Sequence, residues 1–234
     1  MSNVGFRIYT EISRADREIV ESFRGIPTGN IADNMGRLYT MSQSIRPISK
    51  VPLLGTAFTV KVPAGDNLML HRAMHLAKPG DVLVVDGQGC MERSLAGEIM
   101  IKYAEKAGLA GIVIDGCIRD LDGLVSSKIA VYAKGATPCG PYKNGPGEIG
   151  LAVSCGGQVV FPGDIIAGDA DGVVVIRQED AQEIAKLSGE KLAAEQLTFK
   201  GIAEGAADFS WVEKSLEAQN VAEYNAAPAE HKVY

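Results

Sequence analysis

Apolar positions follow two alternating spacings through the first half of the chain. The stretches 55–62 (GTAFTVKV), 81–87 (DVLVVDG) and 111–116 (GIVIDG) are short alternating or continuous apolar runs, the pattern of buried strands. Between them, 66–80 (DNLMLHRAMHLAKPG) and 91–108 (MERSLAGEIMIKYAEKAG) carry apolar residues at helical spacing and end in glycine. A strand, a helix and a strand within about 35 residues predict parallel strands joined by right-handed crossovers.

The second half of the chain lacks this alternation. Short strand patterns over 130–135, 148–164 and 171–177 are separated by glycine and proline turns, with no helical spacing between them. This pattern is typical of mixed or antiparallel pairing, and a closing helix is predicted over 179–205. We therefore predict an α/β fold with a mixed sheet in a single domain.

Three segments are predicted along the chain. Residues 1–24 form an N-terminal helical segment, with a helix from about Asp16 to Phe23. Residues 25–205 form the α/β domain with its closing helix, and a helix near Thr28 is expected to use that hydroxyl as its cap. Residues 206–234 form a polar, alanine-rich C-terminal tail.

Composition and charge disfavour several classes of protein. Hydrophobic residues make up 46% and charged residues 22% of the 234 positions, which is typical of a globular chain. The net charge of −6 disfavours nucleic acid as a partner. No apolar run reaches the roughly 18 residues of a membrane span, and the start of the chain lacks an apolar signal segment. We therefore expect a cytoplasmic protein without membrane contact.

The cysteines are spaced too widely for a common metal motif. The chain has four cysteines, at intervals of 27, 22 and 16 residues and without a Cys-x-x-Cys pair: Cys90, Cys117, Cys139 and Cys155. Neither a zinc knuckle nor a disulfide framework is therefore predicted. We expect reduced, mostly buried thiols, and a catalytic thiol is the less favoured alternative.

Charged residues collect where the predicted strands end. Asp86, Asp115 and the pair Arg119-Asp120 all follow buried strands, and ligands of α/β sheets bind outside those ends. The pair has two interpretations, a salt bridge in a surface loop or a ligand site. In a site, the Asp120 carboxylate would bind a hard divalent cation and the Arg119 guanidinium would grip a carbonyl or carboxylate oxygen. Glu98 would face the same crevice and orient a water.

Three further candidate sites have weaker patterns. His71 and His75 lie four residues apart on a predicted helix, a spacing that can bind zinc, but no third ligand is identifiable. The stretch DGQGC lacks the full dinucleotide fingerprint. Lys61 or Lys143 would serve as a Schiff-base nucleophile only in a desolvated site.

The spacing around Glu98 carries a family resemblance. Twenty residues separate Glu98 from Arg119, so the chain reads E-x20-R-D, with GDVLVVDG before it and GATPCGPYKNGPGEIGLAVSCGGQVVFPGD after it. Over roughly 25–204 the chain resembles the class II pyruvate aldolases. These are the 4-hydroxy-4-methyl-2-oxoglutarate and 4-carboxy-4-hydroxy-2-oxoadipate aldolases, which share a fold with the regulator of ribonuclease activity A.

The resemblance implies a fold, an assembly and a reaction. The fold is the swivelling-domain type of that regulator, in homotrimers or homohexamers with active sites between subunits. The reaction is a divalent-metal-dependent cleavage of a 4-hydroxy-2-oxo dicarboxylic or tricarboxylic acid to pyruvate and an oxo-acid, through a metal-stabilised pyruvate enolate. Oxaloacetate decarboxylation is a further expected activity, and Mg²⁺ or Mn²⁺ is the implied cofactor.

The resemblance also implies roles for individual residues. Asp120 matches the metal ligand and Arg119 the catalytic residue that contacts the pyruvyl oxygen. Glu98 matches the acidic catalytic position that holds a water in the second shell of the metal, although many aldolases have aspartate there. Glu195, from the closing helix of a neighbouring subunit, matches a second acid of that shell.

Substrate binding is implied at the start of the predicted helix before Arg119. The backbone amides of Gly97, Glu98, Ile99 and Met100 match the turn that binds the pyruvate carboxylate. The alternative function is that of a non-catalytic regulator, which binds a ribonuclease or an RNA helicase. Retention of the complete E-x20-R-D motif favours the enzyme.

Overall fold

The computed structural model describes residues 3–224. Residues 225–234 of the predicted C-terminal tail lie outside that range. One compact unit extends to Leu192 and a second begins at Ala193. The strands are β1 (Arg46–Pro47), β2 (Leu53–Lys61), β3 (Asp81–Ala96), β4 (Gly111–Ile118), β5 (Ala130–Ala136), β6 (Glu148–Ile149), β7 (Val153–Cys155), β8 (Gln158–Val160), β9 (Ile165–Gly168) and β10 (Val173–Ile176). The helices are α1 (Arg17–Glu21), α2 (Thr28–Asn34), α3 (Leu68–Leu76), α4 (Glu98–Lys106), α5 (Leu121–Leu124), α6 (Ala181–Ala203) and α7 (Trp211–Ala218).

A mixed sheet forms the centre of the first unit. Strands β2, β3, β4 and β5 are parallel neighbours, as the crossover pattern predicts. Around them, β1 pairs antiparallel with β5, β9 pairs antiparallel with β2 and β10, and β6 pairs antiparallel with the end of β2. The prediction of an α/β fold with a mixed sheet is therefore confirmed.

The sheet has a core on each face. On one face, α3 and α4 bury Leu70, Met74 and Ile101 against strand residues such as Leu83 and Ile112. On the other face, the β7–β8 hairpin covers a cluster that contains Val84, Val113 and Tyr132. Each fully buried aliphatic side chain contributes about 1.5–3 kcal/mol, so both layers are held by apolar burial.

Two local predictions are wrong. The helix predicted from Met91 begins only at Glu98, because β3 continues through Ala96 and pairs with β4 to its end. Met91, Leu95 and Ile99 follow each other at helical spacing in the sequence, but Met91 and Leu95 lie in the part of β3 that pairs with β4 through register shifts. The Thr28 hydroxyl does not cap α2; it donates to the Asp169 carboxylate at 2.8 Å.

Candidate active site

The long pairing of β3 with β4 brings the start of α4 against the loop that follows β4. Ala96 is opposite Ile118, and the Arg119 N–H donates to the Ala96 carbonyl at 3.0 Å. Each strand therefore delivers its next residues to the same point. Glu98 and the pair Arg119-Asp120, far apart in sequence, become neighbours in space.

The Asp120 side chain lies at the N-terminus of α4. Its backbone is left-handed, with φ 64°, a conformation that aspartate tolerates better than most residues. Its Oδ2 atom accepts a hydrogen bond from the Glu98 N–H at 3.0 Å and lies 3.5 Å from Arg119 Nε. The carboxylate thus occupies the position where a helix N-terminus binds anions.

Gly97 makes this close approach possible. A Cβ atom at this position would lie 2.5 Å from Asp120 Oδ2 and 3.0 Å from Arg119 Nε. The backbone of Gly97 is extended, with φ −142°, so the requirement is for space and not for a special conformation. Any side chain here would separate α4 from the Arg119-Asp120 loop.

A cavity of about 250 Å³ opens beside these groups. Gly97, Ile99 and Met100 of the predicted carboxylate-binding turn line it together with Arg119 and Asp120. The residues of its remaining walls are Asn67, His71, Ser94, Leu95, Ala96, Gly140, Pro141 and Lys143. Arg119 and Asp120 also line a neighbouring cavity of about 310 Å³, so both side chains stand between two open spaces.

Glu98 is absent from the residues that line this cavity. The Glu98 backbone faces Asp120, but its half-buried carboxylate lies against Gly123 of α5. Glu195 is half-buried on α6, within the unit that begins at Ala193. The structure therefore brings together Gly97, Glu98, Ile99, Met100, Arg119 and Asp120.

A histidine and a lysine line the cavity as well. Burial lowers the pKa of His71 below its ordinary value of 6.5, and the positive charge of Lys143 and the proximity of His75 lower it further. His71 is therefore neutral at pH 7. The sequence singled out both residues for other chemistry, zinc binding for His71 and Schiff-base formation for Lys143.

Sequence reasoning missed the residues that hold the loop carrying Lys143. The Arg93 guanidinium donates to the Gly140 carbonyl at 2.8 Å and to the Tyr142 hydroxyl at 2.9 Å. The Ser94 N–H and hydroxyl both donate to the Cys139 carbonyl. Arg93 and Ser94 lie in the stretch predicted as helix, whereas the structure places both in β3. The wrong boundary between strand and helix therefore concealed their contacts with this loop.

The donor chemistry of the site fits a hard divalent cation that keeps most of its waters. Asp120 offers carboxylate oxygen, the ligand type that Mg²⁺ and Mn²⁺ prefer, and its side chain is 42% exposed. Among residues 3–224, no group of three or more histidine, cysteine or acidic side chains is arranged as a metal site. His75 instead bonds through Nδ1 to the Tyr103 hydroxyl at 2.7 Å.

The other charged strand ends form ion pairs away from this cavity. Asp86 lies 3.6 Å from Lys61 Nζ, and Asp115 lies 2.7 Å from Lys134 Nζ. The second Asp115 oxygen accepts a hydrogen bond from the Gly156 N–H in the β7–β8 turn. Asp115 therefore links β4 to the β7–β8 turn, and Lys61 pairs with Asp86.

None of the four cysteines, all of which lie in the described range, is in a disulfide. Cys117 and Cys155 are buried, and burial raises the pKa of both thiols. Cys90 is half-buried and Cys139 is exposed. Within the described part of the chain, no helix has the length and apolar character needed to cross a bilayer.

Comparisons with known proteins identify relatives of two kinds. The profile of the RraA-like family, described as Aldolase/RraA, matches residues 28–175. A protein of Halalkalibacterium halodurans named "Putative 4-hydroxy-4-methyl-2-oxoglutarate aldolase" is 36% identical over 194 residues, which cover 82% of this chain and 92% of that protein.

Solved structures supply the second kind of relative. RraAS2 of Streptomyces coelicolor, described as an unusual member of the RNase ES inhibitor RraA family, matches with a TM-score of 0.73 and 26% identity, over 80% of this chain and 98% of its own. The RNA-processing inhibitor RraA from Thermus thermophilis matches with a TM-score of 0.60 and 26% identity, over 64% and 92%.

Proposed function

The chain belongs to the RraA-like family, and from its site we propose that it is a divalent-metal-dependent lyase that releases pyruvate from a 4-hydroxy-2-oxo acid. One observation carries the proposal. The carboxylate of Asp120, the guanidinium of Arg119 and the N-terminus of α4 meet at one cavity. A 2-oxo acid presents a carboxylate and an adjacent carbonyl, and this arrangement offers a partner for each.

The start of α4 binds the substrate carboxylate in this proposal. The Glu98 N–H donates to Asp120 Oδ2 and the Met100 N–H donates to the Gly97 carbonyl, so the Ile99 N–H and the positive end of the helix dipole would hold the anion. Asp120 places a second carboxylate at the same point, so the two anions would repel each other. A divalent cation held by Asp120 and water resolves this repulsion, and when bound it supplies Lewis-acid stabilisation of a developing oxyanion.

Arg119 stabilises the charge that develops in the reaction. In retro-aldol cleavage the 4-hydroxyl loses its proton, the C3–C4 bond breaks and C4 becomes the carbonyl of the departing oxo-acid. The electron pair of the broken bond moves toward the 2-oxo oxygen, giving the enolate of pyruvate, which is then protonated at C3. A guanidinium fixed at that oxygen lowers the barrier because it is more strongly bound in the transition state.

Proton transfer is assigned to water held by Glu98. Glu98 is half-buried and its carboxylate lies against Gly123 of α5, outside the cavity lining, while its backbone N–H donates to Asp120, which does line the cavity. A carboxylate positioned in this way orients water for removal of the 4-hydroxyl proton and for return of a proton to C3. Oxaloacetate decarboxylation needs the same enolate, with CO₂ leaving in place of the oxo-acid, so we propose that activity too.

His71 and Lys143 support a substrate with a second carboxylate. Both line the cavity that Arg119 and Asp120 border. Lys143 offers a positive charge, and neutral His71 offers an N–H donor to an anion. We therefore propose a dicarboxylic or tricarboxylic substrate whose remote carboxylate binds these two side chains.

The test is pyruvate release from 4-hydroxy-4-methyl-2-oxoglutarate and from oxaloacetate, coupled to lactate dehydrogenase. We expect turnover with Mg²⁺ or Mn²⁺, loss of turnover with EDTA, and loss in Asp120→Asn. Asp122→Asn is the matched control, because that exposed aspartate lies two residues away and does not line the cavity. Full turnover of Asp120→Asn would contradict the assignment.

A second candidate function follows from the structural neighbours named as RNA-processing inhibitors. A non-catalytic regulator would bind a ribonuclease or RNA helicase and would need no intact cavity. A shared fold does not decide between the two functions. A purified chain that releases no pyruvate under any condition above, yet binds such an enzyme, would support the regulator.

A further inference from the structure

The Glu98 carboxylate rests on a position that lacks a side chain. A Cβ atom built on Gly123 would lie 2.6 Å from Glu98 Oε2 and 2.7 Å from Glu98 Oε1. These distances are shorter than any normal contact, so the acid occupies the space that a side chain at 123 would fill. The glycine thereby provides the surface on which the carboxylate lies.

The backbone of Gly123 does not require glycine. It belongs to the short helix α5, and its N–H donates to the Asp120 carbonyl at 3.1 Å. Alanine has a higher helix propensity than glycine by about 1 kcal/mol. The missing side chain therefore serves the neighbouring acid and not the local conformation.

We infer that Gly123 is a positioning residue that sets where the carboxylate of Glu98 lies, next in the chain to Gly97 and Ile99, which line the cavity. The inference rests on the proposed function, in which Glu98 holds the water that moves protons. With alanine at 123 the flexible Glu98 side chain would swing away, and the water would lose its place. Displacement of a catalytic group by about 1 Å can cost on the order of 10²-fold in rate.

The length of the acid makes this relationship specific. Glutamate reaches Gly123 because its side chain is one methylene longer than that of aspartate. The Glu98 atom nearest to that Cβ is Cδ, and an aspartate at 98 would have its carboxylate carbon one bond further back, at the position of Cγ. The same substitution at 123 should therefore be less harmful beside aspartate than beside glutamate.

The test compares Gly123→Ala in two backgrounds, the natural chain and Glu98→Asp. With oxaloacetate and Mg²⁺ we expect Gly123→Ala to lower kcat of the natural chain about 10-fold to 100-fold, with less than about threefold change in KM. In the Glu98→Asp background we expect kcat to change less than about threefold. Gly29→Ala is the control, because Gly29 is also helical and a Cβ there meets nothing.

Thermal unfolding of the same variants separates this inference from the proposed function. We expect Gly123→Ala to lower the melting temperature only beside Glu98, which detects the contact without activity. Equal effects on kcat in both backgrounds would overturn the inference. If the natural chain releases no pyruvate, the proposed function fails. If Gly123→Ala depends on residue 98 only in its effect on the melting temperature and not in its effect on kcat, the contact is structural, and the positioning role is overturned.

Discussion

At the scale of single residues, the pair Arg119-Asp120 contributes little to stability. The two side chains are 44% and 42% exposed and approach to 3.5 Å. Exposed ion pairs of this kind contribute roughly 0–1 kcal/mol, because water screens them and ordering the side chains costs entropy. Their position between two cavities is therefore better explained by ligand binding than by folding.

The geometry of the Arg119 guanidinium should matter more than its charge. Arg119→Lys keeps the charge but removes the planar fork of donors. We expect kcat to fall by roughly 10²-fold, equivalent to about 3 kcal/mol of transition-state stabilisation. Steady-state kinetics with oxaloacetate measure this, and Arg72→Lys on the exposed surface of α3 is the matched control. An unchanged kcat/KM in Arg119→Lys would show that the residue is structural.

The pKa of His71 should report the charge of Lys143. Because burial is the larger cause of its lowered pKa, Lys143→Gln should raise the His71 pKa toward 6.5 without fully restoring it. An NMR pH titration, with Lys106→Gln as control, measures both values. An unchanged His71 pKa in Lys143→Gln would separate the two side chains and remove the proposed site for a second carboxylate.

The same shift has a consequence for stability. The folded-state pKa of His71 lies below its ordinary value of 6.5, so the unfolded chain binds a proton first as the pH falls. The stability that neutral His71 contributes is therefore present above pH 6.5 and is lost as the pH falls through the folded-state pKa.

At the scale of elements, the site depends on how closely α4 approaches the loop after β4. Gly97→Ala would place a methyl group against Asp120 Oδ2 and Arg119 Nε. The backbone there suits any residue, so we expect a large loss of kcat with a small change in melting temperature. Kinetics and thermal unfolding of Gly97→Ala measure both effects, beside Gly29→Ala. A large loss of stability with full activity per folded molecule would contradict this role.

The sequence predicted the parallel strands, which the structure confirms. It also contains the E-x20-R-D motif, and the family resemblance based on that motif is confirmed by the family match. It could not predict the end of β3, because the apolar residues after Val85 are spaced as in a helix, and the irregular pairing of this part of β3 with β4 depends on tertiary structure. Nor could it place Gly123 beside Glu98, since that contact depends on the packing of α4 and α5. Local periodicity contains no information on such tertiary contacts.

At the scale of the whole molecule, α4 and the end of α5 carry exposed apolar residues. Ile99 lines the cavity and is 84% exposed, and Tyr103, one turn further along α4, is 41% exposed. Val125, which follows α5, is 53% exposed. Large apolar side chains beside a polar site are typical of a surface that another chain covers. From this surface we propose the homotrimer or homohexamer, with sites between subunits, that the family resemblance implies.

We therefore predict a closed ring of at least three chains that loses activity on dilution to monomers. Light scattering run beside the pyruvate assay measures both properties. Glu195→Gln should lower kcat if a neighbouring subunit supplies that acid, and Glu190→Gln, exposed on the same helix, should not. A fully active monomer would contradict the shared site and the role of Glu195. A ring in which Glu195→Gln is fully active would contradict only the role of Glu195.

The most direct test of the central claim is a crystal structure of the protein soaked with Mn²⁺ and pyruvate, beside an Asp120→Asn crystal treated identically. The account predicts an anomalous peak within bonding distance of the Asp120 carboxylate, with pyruvate bound between the start of α4 and the Arg119 guanidinium. It also predicts that the peak is absent in Asp120→Asn. Mn²⁺ bound elsewhere, or pyruvate that contacts neither α4 nor Arg119, would contradict the account.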